Sequence, residues 1–284
     1  MKKFIDDSTF EEANIIVFGI SFDEKSKLSL ERLRELNWFI ESFDINKKKD
    51  LLKNIKVSDI GDLKFEKLED ITPQIKNIID KKKIPLALRG FHQISFYILK
   101  AFDKNVKLIV FDAHADIKNS YMDERIEESV KGLNLSEDER LRFNCTTWLR
   151  RYCELGNPKN VMIVGLRSCD EDDFKYINEN GISYFTPNQI RKDMEAVKEK
   201  IRNFVKNSNV YISIDIDVFD PSIAPAVYHP EPNGLTFSEF SELIKEISNG
   251  KIVGIDIAEI KPIENEITEF LTIRSIFEVL SYIK

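Results

Sequence analysis

Val106-Lys-Leu-Ile-Val-Phe-Asp-Ala-His-Ala-Asp116 is an aliphatic, β-branched run that ends abruptly in side chains able to ligate a metal. Read as a buried strand, it sends residues i and i+2 to one face, so Asp112 and His114 project together from its carboxyl end. Further on, Val210-Tyr-Ile-Ser-Ile-Asp-Ile-Asp217 repeats the arrangement with Asp215 and Asp217. Continuously apolar strands belong to parallel sheets covered on both faces, not to one-sided antiparallel sheets.

Working outward, strand-like runs recur at 14–20, 84–88, 106–111, 161–166, 210–214 and 252–257. Amphipathic stretches at 29–39, 66–82, 92–102, 170–179, 187–207, 238–248 and 268–283 are interleaved with them. This alternation predicts an α/β fold with a mostly parallel central sheet. No repeat and no Pro/Ser-rich linker interrupts it, so residues 1–284 are expected to form a single domain. In open α/β sheets ligands bind beyond the carboxyl ends of the strands. His92, Asp112 to Asp116, Asp215 with Asp217, and Glu259 each follow a different predicted strand and so fall on that one rim.

The 284 residues carry 42% hydrophobic and 32% charged side chains and a net charge of -7, the profile of an ordinary water-soluble protein. That acidity argues against a nucleic-acid or anionic-membrane partner. Cys145, Cys153 and Cys169 form no C-x-x-C pair, so a disulfide framework is not expected and a reducing compartment is favoured. The N-terminus turns acidic before any signal-like apolar stretch, and no run approaches a membrane span, so a cytoplasmic location is expected.

Four aspartates taken out of water need counter-charge. Two imidazoles with four carboxylates make a hard, oxygen-rich set that suits Mn2+ better than copper or structural zinc. Two such ions sharing a bridging water would present hydroxide to an electrophilic carbon, implying hydrolysis at a trigonal centre.

Asp112-Ala-His-Ala-Asp116, Ser213-Ile-Asp-Ile-Asp-Val-Phe-Asp-Pro221 with Ala224-Pro225, and Asp256-Ile-Ala-Glu259-Ile-Lys-Pro262 resemble the three signature segments of the ureohydrolase family, which includes arginase, agmatinase and formimidoylglutamase. The resemblance implies a three-layer α/β/α sandwich, assembly as a trimer or hexamer, and a centre of two Mn2+ ions. Carried over by position, the metal ligands are His92, Asp112, His114, Asp116, Asp215 and Asp217. Asp116 would also hold the bridging hydroxide and pass its proton to the leaving amine, and Glu259 would contact the guanidinium of a small cationic substrate.

Three segments depart from that pattern. Gly-Gly-Asp-His-Ser is here Arg89-Gly-Phe-His-Gln93, which replaces an acid behind the metals with Phe91. In Asn144-Cys-Thr-Thr-Trp-Leu-Arg-Arg151, Cys145 stands where the family has its proton-transfer histidine. The loop Ala226-Val-Tyr-His-Pro-Glu-Pro-Asn-Gly234 keeps Pro230-Glu231-Pro232, which points to the agmatinase branch, but crowds the channel with Val227, Tyr228 and His229. His229, in this Pro-rich loop, reads as a surface residue; as a cavity residue it is an alternative to Cys145 for proton transfer. The expectation is an enzyme cleaving a linear guanidino compound, agmatine first, to an amine and urea. The alternatives are a relative acting on formimidoylglutamate or a guanidino acid, and a metal-binding paralogue with weak or no catalysis.

Overall fold

The computed structural model describes residues 2–5, 7–262 and 266–283. Among them eight strands form one sheet: β1 (Ile15–Ile20), β2 (Val57–Asp62), β3 (Ile84–Arg89), β4 (Lys107–Phe111), β5 (Val161–Val164), β6 (Ser183–Phe185), β7 (Asn209–Asp215) and β8 (Lys251–Ala258). Their order is β2-β1-β3-β8-β7-β4-β5-β6, and every neighbouring pair is parallel.

A strand buried on both faces must alternate its side chains between two cores, and this one does. Ile15, Val17, Ile109, Phe111, Ile212 and Ile214 pack into one apolar cluster with α1 (Glu24–Leu36), α9 (Met194–Val205), α10 (Phe237–Ile247) and α11 (Ile267–Leu280). Their neighbours Ile16, Phe18, Leu108, Val110 and Tyr211 pack into a second with α2 (Ile71–Asp80), α3 (Ser95–Leu99), α6 (Trp148–Leu155) and α7 (Glu171–Asn180). The result is the expected α/β/α sandwich. Three further short helices, α4 (Glu124–Val130), α5 (Glu137–Arg142) and α8 (Pro187–Lys192), complete the described set.

The six strands expected from the sequence are the six inner ones; β2 and β6, which were not expected, are the two edges. An edge strand needs no continuous apolar run, and β2 reads Val-Ser-Asp-Ile-Gly-Asp. The expected helix at 187–207 is divided at Asp193, whose side chain caps the second half by accepting from the Ala196 N–H. Among the described residues no helix is long and apolar enough to cross a membrane.

Edge strand β2 is tied to α1 by charge. Arg34, 1% exposed, donates from Nε and Nη2 to the Asp59 carboxylate at 2.8 and 3.2 Å and from Nη1 to Asp62 at 2.6 Å. Removing the guanidinium leaves buried Asp59 without that counter-charge. Arg34→Ala is therefore expected to lower unfolding free energy by about 3–5 kcal/mol, read from chemical denaturation curves.

A candidate dinuclear metal centre at the strand ends

Beyond β4 the chain carries Asp112 and His114 across the rim and turns at Asp116, whose φ of 50° lies in the left-handed region. Glu259, just past β8, has φ 63°. Such backbone is costly for residues other than glycine and persists only where surrounding structure enforces it. β7 ends in Asp215, and Asp217 follows in a single 3-10 turn. His92 lies just past β3, where Glu259 Oε1 accepts its backbone N–H at 2.8 Å.

These side chains converge. His92 Nδ1 is 3.0 Å from Asp112 Oδ2, 3.2 Å from Asp215 Oδ2 and 3.4 Å from Asp116 Oδ2. His114 Nδ1 is 2.9 Å from Asp217 Oδ2 and 3.6 Å from Asp112 Oδ1. In two groups, His92/Asp112/Asp215 and Asp112/His114/Asp217, the potential ligand atoms lie within 4.8 Å of one another. Asp112 belongs to both and offers one oxygen to each histidine. His92 Nδ1 and Asp112 Oδ2 are both buried without a hydrogen bond, although three carboxylate oxygens lie within 3.4 Å of Nδ1. Two lone-pair atoms aimed at a common point in this way suit a shared cation. The donor set, nitrogen and carboxylate oxygen only, fits a pair of divalent ions such as Mn2+.

In the metal-free protein, protons take the cations' place. Burial, followed by the charge of Asp112, pushes Asp116 up to about 6. Burial and Asp217 raise Asp215 well above the carboxylate range. Burial disfavours the charged form of both histidines, but the carboxylates around them prevail: His92 is raised, and His114 reaches about 12.

A second layer orients the first. His92 Nε2 lies 2.9 Å from Ser213 Oγ, which donates to Asp256 Oδ1 at 2.8 Å. Asp256 also takes hydrogen bonds from Tyr211 at 2.6 Å, Ser95 at 2.9 Å and the Arg89 guanidinium. With its proton committed to Asp256, the Ser213 hydroxyl, which also accepts from Arg89 Nη2 at 3.3 Å, can only accept at its contact with His92, so Nε2 carries the hydrogen and Nδ1 keeps its lone pair for metal. Trp148 Nε1 donates to Asp116 Oδ2 at 2.7 Å. On the other side His114 Nε2 is 3.8 Å from Glu231 Oε1. The Arg167 guanidinium donates to the carbonyls of Asp217 at 2.7 Å, Glu231 at 2.9 Å and Pro232 at 3.0 Å.

A cavity of about 410 Å³ opens on this centre and is lined by His114, Asp116, Asp215, Asp217 and Glu259, with Cys145 and His229 also in its wall. His92 and Asp112 lie behind it, buried. All the residues expected at the site are thus brought together. His229, expected at the surface, instead stands edge-on to His114 with ring centroids 6.1 Å apart, because the Pro230-Glu231-Pro232 turn is clamped inward by Arg167. Phe91 packs against Phe22 and Tyr228; the acid behind His92 is Asp256, held by Arg89. The roles of Arg89, Trp148, Arg167, Ser213, Glu231 and Asp256 were not foreseen. Arg89 and Arg167 carried a signal: each is a cation at or just past the carboxyl end of an inner strand, on the rim that bears the acids.

The sequence model described as "Arginase family" matches residues 13–281. The chain is similar to the agmatinase of Bacillus anthracis, 29% identical over 272 residues, 90% of this chain and 86% of that protein. To the arginase of Bacillus subtilis it is also 29% identical, over 248 residues, 82% of this chain and 81% of that one. Among solved structures it resembles the agmatine ureohydrolase of Thermoplasma volcanium, with a TM-score of 0.82, 27% identity, and coverage of 99% of this chain and 94% of that one.

Two outcomes follow from the geometry. Because Asp112 serves both groups, Asp112→Asn is expected to abolish binding of both ions, whereas Asp217→Asn removes one; calorimetric stoichiometry with Mn2+ separates them. Binding must displace protons that the metal-free site holds above their ordinary pKa values. Mn2+ affinity is therefore expected to rise from pH 6 to pH 8 with measurable proton release, and an affinity flat across that range would contradict this account.

Proposed function

Because this chain belongs to the arginase family and is a hydrolase of guanidino C–N bonds, we propose that it uses two Mn2+ ions to cleave agmatine to putrescine and urea. The observation carrying this reading is that two ligand groups joined by Asp112 share their cavity with Glu259, whose Oε2 is buried and without a partner. His92, Asp112, Asp116 and Asp215 would hold one ion, and Asp112, His114 and Asp217 the other. When bound, such ions supply Lewis acidity that makes water nucleophilic near neutral pH.

The chain's own groups do the rest. Burial raises the Glu259 carboxyl to about 8, so a guanidinium arriving beside it finds an acceptor whose charge little else in the pocket satisfies. The substrate cation restores the carboxylate and is oriented by it. Asp116, positioned by Trp148, has a raised proton affinity and is suited to taking a proton from water and returning it to the leaving amine. Burial, together with the charges of Glu259 and Asp116, raises Cys145 well above the thiol range, so it keeps its proton and cannot act as a base. Burial and the neighbouring His114 lower the pKa of His229, leaving a neutral imidazole that can exchange protons at the cavity wall.

Equal identity to an agmatinase and an arginase leaves the substrate to other features. The Pro230-Glu231-Pro232 turn supports the agmatinase branch. So does the rest of the cavity wall, where Asp123, Asp170 and Asp173 outnumber Lys118 and Arg125 and favour the ammonium at agmatine's far end over a carboxylate.

Urea release from agmatine, arginine, guanidino acids and formimidoylglutamate tests the proposal. Preferred turnover of agmatine supports it, turnover of another amidine reassigns the substrate, and none with Mn2+ bound leaves a metal-binding paralogue. Glu259→Gln is expected to reduce kcat/KM by about 100-fold or more. Cys145→Ser should stay within a few-fold of the parent, while His229→Ala should lose rate and the associated limb of the pH profile; full rate at every pH would remove His229 from the mechanism.

A further inference from the structure

Phe91, Cys145, Val227 and Tyr228 come from the three segments that depart from the ureohydrolase pattern, and the fold gathers all four in one place. They line a second cavity of about 680 Å³ beside the metal cavity, a size within the range of small-molecule sites. Val227 and Tyr228, expected to crowd the approach to the metals, do not reach it: of residues 226–234 only His229 lines the metal cavity. The Phe91 and Tyr228 rings lie 5.1 Å apart, and Pro225, Val227 and Pro230 extend their apolar wall. At the rim Lys25 pairs with Glu128 at 3.1 Å, and Glu124 offsets one of the cations Arg125 and Lys261. Charge there is close to balanced, whereas in the metal cavity Asp123, Asp170 and Asp173 outnumber Lys118 and Arg125.

The two cavities share Arg125, Cys145 and His229 as lining residues. Arg125 is exposed and His229 half-buried, so the deep part of the partition is Cys145, 6% exposed. Cys145 feels the charges of Glu259 and Asp116, so it borders the place where Glu259 would hold a guanidinium. The family pattern has an imidazole at this position; here a single sulfur takes the place of a ring.

We propose that the small side chain of Cys145 joins the metal cavity to the second one, and that the site takes guanidino compounds carrying an apolar substituent on a second guanidino nitrogen. The proposal deepens the reading of this site as a guanidino C–N hydrolase and rests on it. The nitrogens of a guanidinium diverge in one plane. With the cationic chain on the first lying along the acidic wall of the metal cavity, a group on the second is directed elsewhere, and the aromatic cavity beyond Cys145 shields it from water. Hydrolysis then adds water at the guanidino carbon and breaks its bond to the chain-bearing nitrogen. That nitrogen leaves protonated as the amine, and the apolar group departs on the urea.

Agmatine benzylated on a guanidino nitrogen that does not bear the aminobutyl chain is the probe, assayed beside agmatine with the Mn2+-loaded full chain. Release of benzylurea and putrescine is expected, with kcat/KM within about tenfold of agmatine's. Cys145→His and Val227→Phe, which refill the partition and the second cavity, are each expected to lower the ratio of the two kcat/KM values by about tenfold or more, with Mn2+ stoichiometry unchanged. Should Cys145→His fail to fold, Val227→Phe provides the same readout, since Val227 lies outside the metal cavity. Turnover of agmatine without that of the benzyl compound, or folded variants that keep the parent's ratio, would overturn the proposal alone. No turnover of any guanidino compound by the parent would overturn the hydrolase reading, and the proposal with it.

Discussion

Four carboxylates brought within a few ångströms of one another out of water set the terms for this molecule. Their mutual repulsion and lost hydration exceed what backbone hydrogen bonding can offset, so the rim of the sheet is stable only with positive charge threaded through it. In the metal-free protein protonated histidines and retained protons supply that charge; divalent ions would displace those protons and leave the histidines neutral. Folding, protonation and cation binding at this rim are therefore one coupled equilibrium.

The sheet supplies the rigidity this needs. Asp256 and Ser213 are register partners on β8 and β7, and Arg89 approaches from β3 beside them. Because three adjacent central strands carry the network, the orientation of His92 is set by the sheet itself and not by a loop. Trp148, fully buried in the helical layer, gives Asp116 a similarly fixed partner. The side toward the cavity mouth is built from loops, which suits the part of the site that must admit ligand.

Much of this was legible from the chain. Strand ends bearing Asp112, His114, Asp215 and Asp217 announced both a parallel sheet and a cation site, because an apolar run and a ligand pair leave local signatures of period two. Edge strands β2 and β6 escaped notice because pairing on one side places weaker demands on composition. Residues acting through long-range contacts were harder still: nothing near Arg167 in sequence indicates that its partners lie at 217 and 231–232, and nothing near Trp148 indicates Asp116. His229 was misplaced for the same reason, since a Pro-rich loop looks external until the guanidinium that draws it inward is known.

Arg167 joins the turn carrying Asp217 to the loop that borders the cavity by gripping their carbonyl oxygens, not their side chains. A grip on the main chain is indifferent to which side chains that loop displays. Positions 227–229 can therefore be exchanged over evolutionary time, and with them the compound admitted, while the turn carrying Asp217 keeps its shape. The fold thereby uncouples the side chains displayed at the mouth of the cavity from the backbone that positions the acids within it.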